Sequence, residues 1–343
     1  MRAMLLRRGG ELTVGEVERP KPGPMQVLAR VRGCGICGSD LHFAKYADDL
    51  VGSREGNKLP VGSVIDLDRG VVMGHEFVAE VVEAGPGGEA FAPGTRVTSV
   101  PVLPDPSSPR GHQAIGYSTD YPGAYGEYVL LSVPLLLRVP DGVPDHIAAT
   151  TEPCGVGLHA VREAKLQPGE RALVMGAGPI GLMTLLWLKH EGVEHVTVSD
   201  PAAPRRELAQ KLGADALLNP AADNIAERLT ENGGLPQVVF ECVGVEGTIQ
   251  QAIDDVALRG RVIVVGVCMT EDRFFPRTGI NKQCSLHFVL GYTAEEFAEA
   301  LGAIAEGAVD TSPLVTRITD LDGLPAAFKA LSDPRECKVV YRP

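Results

Sequence analysis

The feature that most constrains the fold is the stretch from Arg171 to Asp200, which reads as a strand, a glycine turn, a helix and a second strand. The turn carries Gly176, Gly178 and Gly181 in a G-x-G-x-x-G pattern, and Asp200 follows 19 residues after the last glycine. Glycines and an acidic residue at these distances are typical of a dinucleotide-binding βαβ unit. The stretch therefore predicts a doubly wound parallel sheet.

Each part of this motif has a physical role in binding a dinucleotide. We expect Gly176 to make a tight turn, Gly178 to let the pyrophosphate approach the backbone, and Gly181 to let helix and strand pack closely. Pro179 suits the first helical turn, where its missing N–H costs nothing. The free N–H groups of that turn favour phosphate. A glycine turn that is merely structural is the other interpretation, and the position of the acidic residue argues against it.

The residues after the second strand bear on which dinucleotide is bound. Asp200 should accept hydrogen bonds from the adenosine ribose and repel a 2′-phosphate, which favours NAD. Arg205 and Arg206 follow closely and could receive that phosphate, so NADP is kept as the less favoured alternative.

The chain changes character near residue 155. Before it, short alternating runs are separated by Gly and Pro, which predicts an antiparallel β domain. After it, continuous apolar strands alternate with helical patterns, as in a parallel sheet buried on both faces. A chain of 343 residues suits two domains. We expect an α/β protein with a dinucleotide-binding domain at 155–290 and a second domain formed by 1–154 and 291–343.

Composition excludes several classes of function. The net charge of -12 argues against nucleic-acid binding. No apolar run approaches the ~20 residues of a membrane span, and the first residues lack a signal-peptide cleavage site, so we expect a cytoplasmic protein. Seven cysteines, an odd number, favour reduced thiols and make any clustered ones candidate metal ligands.

Candidate metal ligands occur in three separate stretches. GCGICGSDLHF (33–43) holds Cys34 and Cys37, MGHEF holds His75, and TTEPCGVG holds Glu152 and Cys154. A catalytic zinc takes three protein ligands of these types and keeps a fourth position open. Taken alone, each cysteine could be a small buried hydrophobe and the histidine an ordinary core residue.

Together these motifs resemble the zinc-dependent medium-chain dehydrogenase/reductase family, specifically its polyol (sorbitol) and secondary-alcohol dehydrogenases. The matching stretches follow the family's order from end to end: GICGSDLH, GHE, GAYGEYV, EPCGVGLHA, GAGPIG with VSD, and KVVYRP. The resemblance implies a GroES-like catalytic domain beside a Rossmann domain. It also implies reversible hydride transfer from a secondary alcohol, polyol or sugar hydroxyl to NAD+, giving a ketone, in a homodimer or homotetramer.

The resemblance assigns the metal ligands residue by residue. It implies that Cys37, His75 and Glu152 hold one catalytic zinc, with Cys154 as the less favoured substitute for the glutamate. Glu76 is similar to a glutamate that approaches the metal transiently. Cys34 is then not a ligand.

The resemblance also assigns the residues that surround the metal. It implies that Ser39 takes the substrate proton, which passes through the cofactor ribose to His42, and that Asp40 orients the zinc-binding histidine. It implies cofactor contacts for Ile180 and Lys338. Zinc would act as a Lewis acid on the substrate oxygen, and the nicotinamide would accept the hydride.

Two stretches depart from the family pattern. Many relatives bind a structural zinc through four cysteines in a lobe that corresponds to 98–123, and this stretch has no cysteine. We therefore predict no structural zinc. The 38-residue spacing from Cys37 to His75 is long, and the extra stretch 46–70 is a candidate for a loop that covers the active-site cleft and shapes substrate choice.

Two other classes share the predicted fold. Zinc-free quinone or enoyl reductases use NADPH and lack the metal ligands, so the presence of both Cys37 and His75 argues against them. A non-catalytic nucleotide-binding protein would not need the metal ligands or the proton-transfer residues, although the fold alone would allow it.

Overall fold

The computed structural model describes residues 1–52, 65–106, 108 and 111–343. They form two compact units, one of Met1–Glu152 with Val315–Pro343 and one of Pro153–Leu314. Residues 53–64 of the predicted insertion 46–70 lie outside the described residues, and residues 46–52 belong to a helix. Across the described ranges, no helix is both long enough and apolar enough to cross a membrane.

The first unit begins with short strands, as the Gly and Pro punctuation predicts. Its elements up to the second unit are β1 (Arg2–Leu6), β2 (Leu12–Glu16), β3 (Gln26–Gly35), α1 (Gly38–Gly52), β4 (Val71–Val72), β5 (Glu76–Ala84), β6 (Arg96–Ser99), β7 (Val102–Pro104), β8 (His112–Ala114), β9 (Tyr128–Ser132), β10 (Leu136–Arg138) and α2 (Asp145–Ala148). Short 3-10 helices lie at Arg8–Gly10 and Val133–Leu135.

The second unit is the predicted strand–helix series, and α3 (Thr151–Ala164) leads the chain into it. Its elements are β11 (Ala172–Met175), α4 (Pro179–His190), β12 (Val196–Ser199), α5 (Ala203–Lys211), β13 (Ala216–Leu218), α6 (Ile225–Glu231), β14 (Val238–Glu241), α7 (Thr248–Asp255), β15 (Arg261–Val264), α8 (Pro276–Lys282), β16 (Ser285–Phe288) and α9 (Ala294–Ala305). A 3-10 turn, Ser312–Leu314, ends this unit.

The chain then returns to the first unit through three elements. These are β17 (Val315–Thr319), α10 (Leu324–Ala330) and β18 (Lys338–Tyr341). β18 is fully buried and pairs with β17 in parallel and with β3 in antiparallel orientation. The C-terminal strand thus completes a sheet that begins near the N-terminus.

Strand β3 is the centre of the first unit. It pairs with β5, β9 and β18 in a seven-stranded sheet of the described residues, with the path β10-β6-β5-β3-β18-β17 and β9 also on β3. Its predicted alternating residues Val27, Ala29 and Val31 are all buried. At its far end Gly35 lies opposite both Glu76 and Val340, so three distant parts of the sequence meet where β3 leads into α1.

The second unit has the predicted doubly wound sheet, so the fold prediction is confirmed. Its parallel strands run in the order β13-β12-β11-β14-β15-β16. From β11 the chain adds strands toward one edge of the sheet (β12, β13) and then toward the other (β14, β15, β16). The point between β11 and β14 where the strand order reverses is where such sheets bind dinucleotides. The central strands β11, β12 and β14 are fully buried, as their continuous apolar sequence predicts.

The first domain boundary lies two residues before its predicted position, and the second differs more. Residues 291–314 were expected in the catalytic domain, but they pack in the second unit. Tyr292 stacks on Phe297 of α9, and Glu296 contacts His159 of α3 at 3.0 Å. These tertiary contacts hold α9 in the second unit. The sequence prediction ended the domain where strands and helices stop alternating, and that pattern gives no information about such contacts.

Candidate active site

Three side chains with metal-ligand chemistry meet in the first unit. Ligand atoms of Cys37, His75 and Glu76 all lie within 4.8 Å of one another. In the described part of the chain, this is the group of three residues that could hold a metal ion. Cys37 follows β3, and His75 immediately precedes β5, so the pairing of these two strands brings them together. A thiol, an imidazole and a carboxylate form a donor set that suits zinc.

The local fold of the CGSD sequence places Asp40 beside the metal ligands. Gly38 begins α1, and the carboxylate of Asp40, in the first turn, reaches back to accept a hydrogen bond from the Cys37 amide at 3.0 Å. This is half of a capping box, which satisfies an orphan donor at a helix N-terminus. The same turn that starts the helix therefore fixes the carboxylate.

Asp40 faces His75 from inside the protein. Its Oδ1 lies 3.4 Å from His75 Nδ1, and its Oδ2 accepts a 2.6 Å hydrogen bond from the Tyr125 hydroxyl. Burial alone would raise the pKa of Asp40, but the charge of His75 and these hydrogen bonds lower it below its usual value. With Nδ1 directed at a carboxylate, Nε2 is the ring nitrogen left for a metal, as in many metal sites.

Glu76 is held by a lysine from the other end of the chain. Lys338 Nζ lies 2.7 and 2.8 Å from the two oxygens of Glu76 and donates to the Ile36 carbonyl at 3.0 Å. Burial works against the charge of Lys338, but the carboxylate outweighs it and raises the pKa of the ammonium. The structure thus gives Lys338 a partner in the metal group, and its predicted cofactor contact stays a prediction.

The strand next to this ion pair leaves no room for a side chain at Gly35. A Cβ there would lie 2.1 Å from Glu76 Oε2, far closer than any real contact. Glycine at this position of β3 is therefore required by the buried carboxylate.

Ser39 lies between Cys37 and a residue that the sequence motifs do not indicate. Its hydroxyl donates to Cys37 Sγ at 3.1 Å and accepts a 2.7 Å hydrogen bond from the hydroxyl of Tyr117. Burial raises the pKa of Tyr117 well above its usual value, which keeps the phenol a donor. Tyr117 comes from the connection after β8, in the stretch that lacks the structural-zinc cysteines, and no local pattern there indicates a role.

His42 is half-buried one turn further along α1. Its Nδ1 is enclosed and has no hydrogen-bond partner among the described residues. Burial and the nearby charge of Lys45 lower the pKa of His42, so its neutral form dominates at pH 7. A neutral imidazole can accept a proton.

The other candidate cysteines lie outside the metal group. Cys34 is fully buried in β3, and burial raises the pKa of its thiol. Cys154 is fully buried in the second unit, where burial raises its thiol pKa to about 12. Thiols in such surroundings stay protonated and inert. Glu152 is half-buried in the first turn of α3 and is not one of the three clustered residues.

The three motif glycines differ in what surrounds them. Gly176 has φ +90°, a left-handed backbone that suits a tight turn. A Cβ on Gly181 would lie 1.8 Å from the Gly176 carbonyl oxygen, so helix and strand could not pack as closely. A Cβ on Gly178 would meet no described protein atom within 4 Å. These surroundings match the roles predicted for the first and third glycines, and the space beside the second is free for a ligand.

Asp200 directly follows β12, beside the glycine turn. Its Oδ2 accepts a hydrogen bond from the Ala177 amide and its Oδ1 one from the Ala202 amide, both at 2.8 Å. Arg205 Nη1 lies 3.9 Å from Oδ2, whereas Arg206 donates to the main-chain oxygen of Asp200 at 2.7 Å. The carboxylate is thus held against the turn. The predicted contacts Pro179 and Ile180 form the first turn of α4 and are half-buried.

Comparison with known proteins supports both units. The family model for an alcohol dehydrogenase GroES-like domain matches residues 23–141, and that for a zinc-binding dehydrogenase matches 179–306. The (R,R)-butanediol dehydrogenase of Bacillus subtilis (strain 168) is 32% identical over 360 residues, covering 100% of both chains. Human sorbitol dehydrogenase is 28% identical over 353 residues, covering 99% of this chain and 95% of that protein.

Solved structures give the same result. The structure of a zinc-binding dehydrogenase from Sinorhizobium meliloti 1021, bound to NADP, matches with a TM-score of 0.85 at 28% identity and covers 100% of this chain and 99% of that one. Three observations indicate the same family: the similarity over the full length, the two family models and the similar fold of the solved structure. The chain therefore belongs to the zinc-type medium-chain dehydrogenase family and is a nicotinamide-dependent dehydrogenase of alcohols.

Proposed function

We propose that the chain oxidises a secondary alcohol with a neighbouring hydroxyl, as in a vicinal diol, polyol or sugar, to a ketone with NAD+. The observation that carries the proposal is the convergence of Cys37, His75 and Asp40 beside the hydroxyl of Ser39. The relatives named for butanediol and sorbitol support the substrate class, since both compounds carry adjacent hydroxyls.

Cys37, His75 and Glu152 are the proposed ligands of one zinc per chain. Glu76 is nearer to the first two, but both of its oxygens are bonded to Lys338, which favours a role beside the metal over permanent ligation. Cys154 is a protonated, buried thiol and a poor ligand. Bound at these residues, Zn²⁺ would act as a Lewis acid on the substrate oxygen and favour loss of its proton.

Metal analysis of purified variants tests this ligand set. We expect one zinc per chain in the unaltered protein, loss of zinc in Cys37→Ser and Glu152→Ala, and full zinc in Cys154→Ser. Two zincs per chain, or loss of zinc in Cys154→Ser alone, would contradict the assignment. Asp40→Asn should keep the ligands but weaken zinc binding about 10- to 100-fold, the usual effect of losing a carboxylate behind a metal-binding histidine.

The chain's own residues supply the proton path. We propose that Ser39 accepts the substrate proton as it gives up its own, and that neutral His42 receives the proton that leaves the site. Asp40 holds the imidazole of His75 in one orientation. When NAD+ is bound, the nicotinamide ring accepts the hydride.

The proposed cofactor is NAD, with NADP as the less favoured alternative. Asp200, the proposed ribose ligand, is held directly after β12, where its negative charge would repel a 2′-phosphate. Arg205 is paired loosely with that carboxylate, at 3.9 Å. Comparing kcat/KM with NAD+ and with NADP+ tests this preference. Asp200→Ala should reduce the ratio of the two kcat/KM values. A preference for NADP in the unaltered protein would contradict the proposal.

The edge of the second unit is the proposed contact between subunits of a homodimer or homotetramer. β16 is the last strand of its sheet, and Phe288 and Leu290 at its end are 64% and 81% exposed. Phe275 and Ile280 nearby in sequence are 74% and 73% exposed. An unpaired strand edge with apolar side chains favours self-association. Light scattering should find a dimer or larger, and Leu290→Glu should shift it toward monomer.

A screen of alcohols with NAD+ tests the activity. The panel should contain the stereoisomers of butane-2,3-diol, sorbitol and other polyols, cyclic secondary alcohols, and ethanol as a primary-alcohol control. We expect turnover of vicinal diols or polyols, with kcat/KM at least tenfold above that for ethanol. Turnover by protein that contains no zinc would overturn the proposed mechanism.

A further inference from the structure

Tyr117 contacts two parts of the candidate site at once. Its hydroxyl donates to Ser39 Oγ at 2.7 Å, and its ring lies 5.3 Å from the ring of His75 at an angle of 38°. The ring of Phe43 also contacts it, in an edge-to-face arrangement with ring centres 5.4 Å apart. Tyr117 is 78 residues downstream of the serine. Two ring contacts thus fix its side chain so that its hydroxyl reaches Ser39.

The hydroxyl of Ser39 has one proton and two lone pairs to assign. The proton points to Cys37 Sγ at 3.1 Å, and one lone pair accepts the hydrogen bond from Tyr117. One lone pair remains. A substrate hydroxyl that gives its proton to Ser39 must use that lone pair, so the hydrogen bond from Tyr117 determines the direction from which the serine accepts.

We propose that Tyr117 is a positioning residue for proton transfer, whose hydroxyl fixes Ser39 so that its free lone pair faces the substrate alcohol. This inference rests on the proposed role of Ser39. In the step, the substrate O–H bond breaks and its proton joins Ser39 Oγ. The serine's own O–H bond turns away from Cys37 Sγ and breaks, and that proton ends on neutral His42, so the serine ends unchanged. Without Tyr117 the serine side chain can take other staggered rotamers, and only some present the lone pair correctly.

A merely structural role for the tyrosine predicts different behaviour. Tyr117→Phe keeps the ring contacts with His75 and Phe43 and removes only the hydroxyl, so it separates packing from hydrogen bonding. Tyr121 lies in the same connection and makes no hydrogen bond to Ser39, so Tyr121→Phe is a matched control for loss of a phenolic hydroxyl.

A double-mutant cycle tests the inference. Tyr117→Phe should lower kcat about tenfold or more, within the range that one proton-transfer group supplies, while KM changes less than threefold. In the Ser39→Ala background, Tyr117→Phe should have no further effect. Ser39→Thr, which keeps the hydroxyl, should remain sensitive to Tyr117→Phe, and Tyr121→Phe should leave kcat unchanged. Independent, multiplying losses from the two changes would overturn the inference, as would a change confined to KM.

A spectrum of the Co²⁺-loaded protein gives a readout that does not depend on turnover. Since Ser39 donates to Cys37 Sγ, its orientation should alter the thiolate-to-cobalt charge-transfer band. Tyr117→Phe and Ser39→Ala should shift that band in the same direction, and Tyr121→Phe should not. An unshifted band in Tyr117→Phe would overturn the inference even if no alcohol is turned over. If Ser39→Ala loses turnover but Tyr117→Phe turns over normally, the inference about Tyr117 is wrong. The proposed function would not be affected by that result.

Discussion

Lys338 Nζ lies within 2.8 Å of both carboxylate oxygens of Glu76, and both side chains are almost completely buried. The lysine is the first residue of β18 and the glutamate is the first of β5, so the pair joins the C-terminal strand to the strand that follows His75. The ion pair therefore couples the integrity of the metal group to the C-terminus of the chain.

Removing one partner of this pair should destabilise the protein more than removing both charges. Lys338→Met leaves a buried carboxylate without a counter-charge, and we expect the free energy of unfolding to fall by about 3–5 kcal/mol. Adding Glu76→Gln removes the unpaired charge and should recover much of this loss. Chemical denaturation of the two variants measures the difference. If the double variant is no more stable than Lys338→Met, the charge is not the cause.

The motif glycines should separate cofactor binding from folding. Gly178→Ala has room for its methyl group within the protein, so it should keep its melting temperature and lose at least about tenfold in NADH affinity, because the added atom takes space that the pyrophosphate needs. Gly181→Ala clashes with the Gly176 carbonyl and should lower the melting temperature. Gly302→Ala, in open space on α9, is the control. It should leave NADH affinity unchanged and should keep or raise the melting temperature, because alanine is the better helix former. Unchanged NADH affinity in Gly178→Ala would contradict the site.

The charge of Lys45 should set the acid side of the pH profile. Burial and Lys45 both lower the pKa of His42, and the neutral imidazole is the form that accepts a proton. Alcohol oxidation should therefore fall as the pH drops through the lowered pKa. Lys45→Gln removes one cause of the shift, so the acid limb of kcat/KM should move to higher pH, whereas Lys45→Arg should leave it in place. An unmoved limb in Lys45→Gln would show that another group titrates there.

Local motifs and tertiary contacts account for different parts of the site. The glycine turn, the position of Asp200 and the helix start at Gly38 are set within a few residues of sequence, so the pattern of the sequence predicts them. Apolar alternation predicts β3 as a strand but not its pairing with β5, and that pairing is what brings Cys37 near His75. Tyr117 on Ser39 and Lys338 on Glu76 are contacts over 78 and 262 residues, and no local pattern specifies either.

Asp255 should make stability depend on pH in an unusual direction. It ends α7, where the helix dipole disfavours a negative charge, and its Oδ2 has no hydrogen-bond partner among the described residues. Burial, with a smaller effect from Asp254, raises its pKa to about 6, although Lys282 opposes the shift. Because the folded protein holds this proton to higher pH than the unfolded chain, stability is lost as the pH rises from about 4 to about 6.

Asp255→Asn removes that cost. At pH 7.5 the free energy of unfolding should rise by up to about 3 kcal/mol, the equivalent of a two-unit shift, and at pH 4 or below the variant should match the unaltered protein. Asp254→Asn, an exposed neighbour on the same helix, is the matched control and should change stability by less than about 0.5 kcal/mol. Denaturant midpoints measured at both pH values decide the matter. If Asp255→Asn destabilises the protein equally at pH 7.5 and pH 4, the carboxylate serves as a structural acceptor and carries no buried-charge cost.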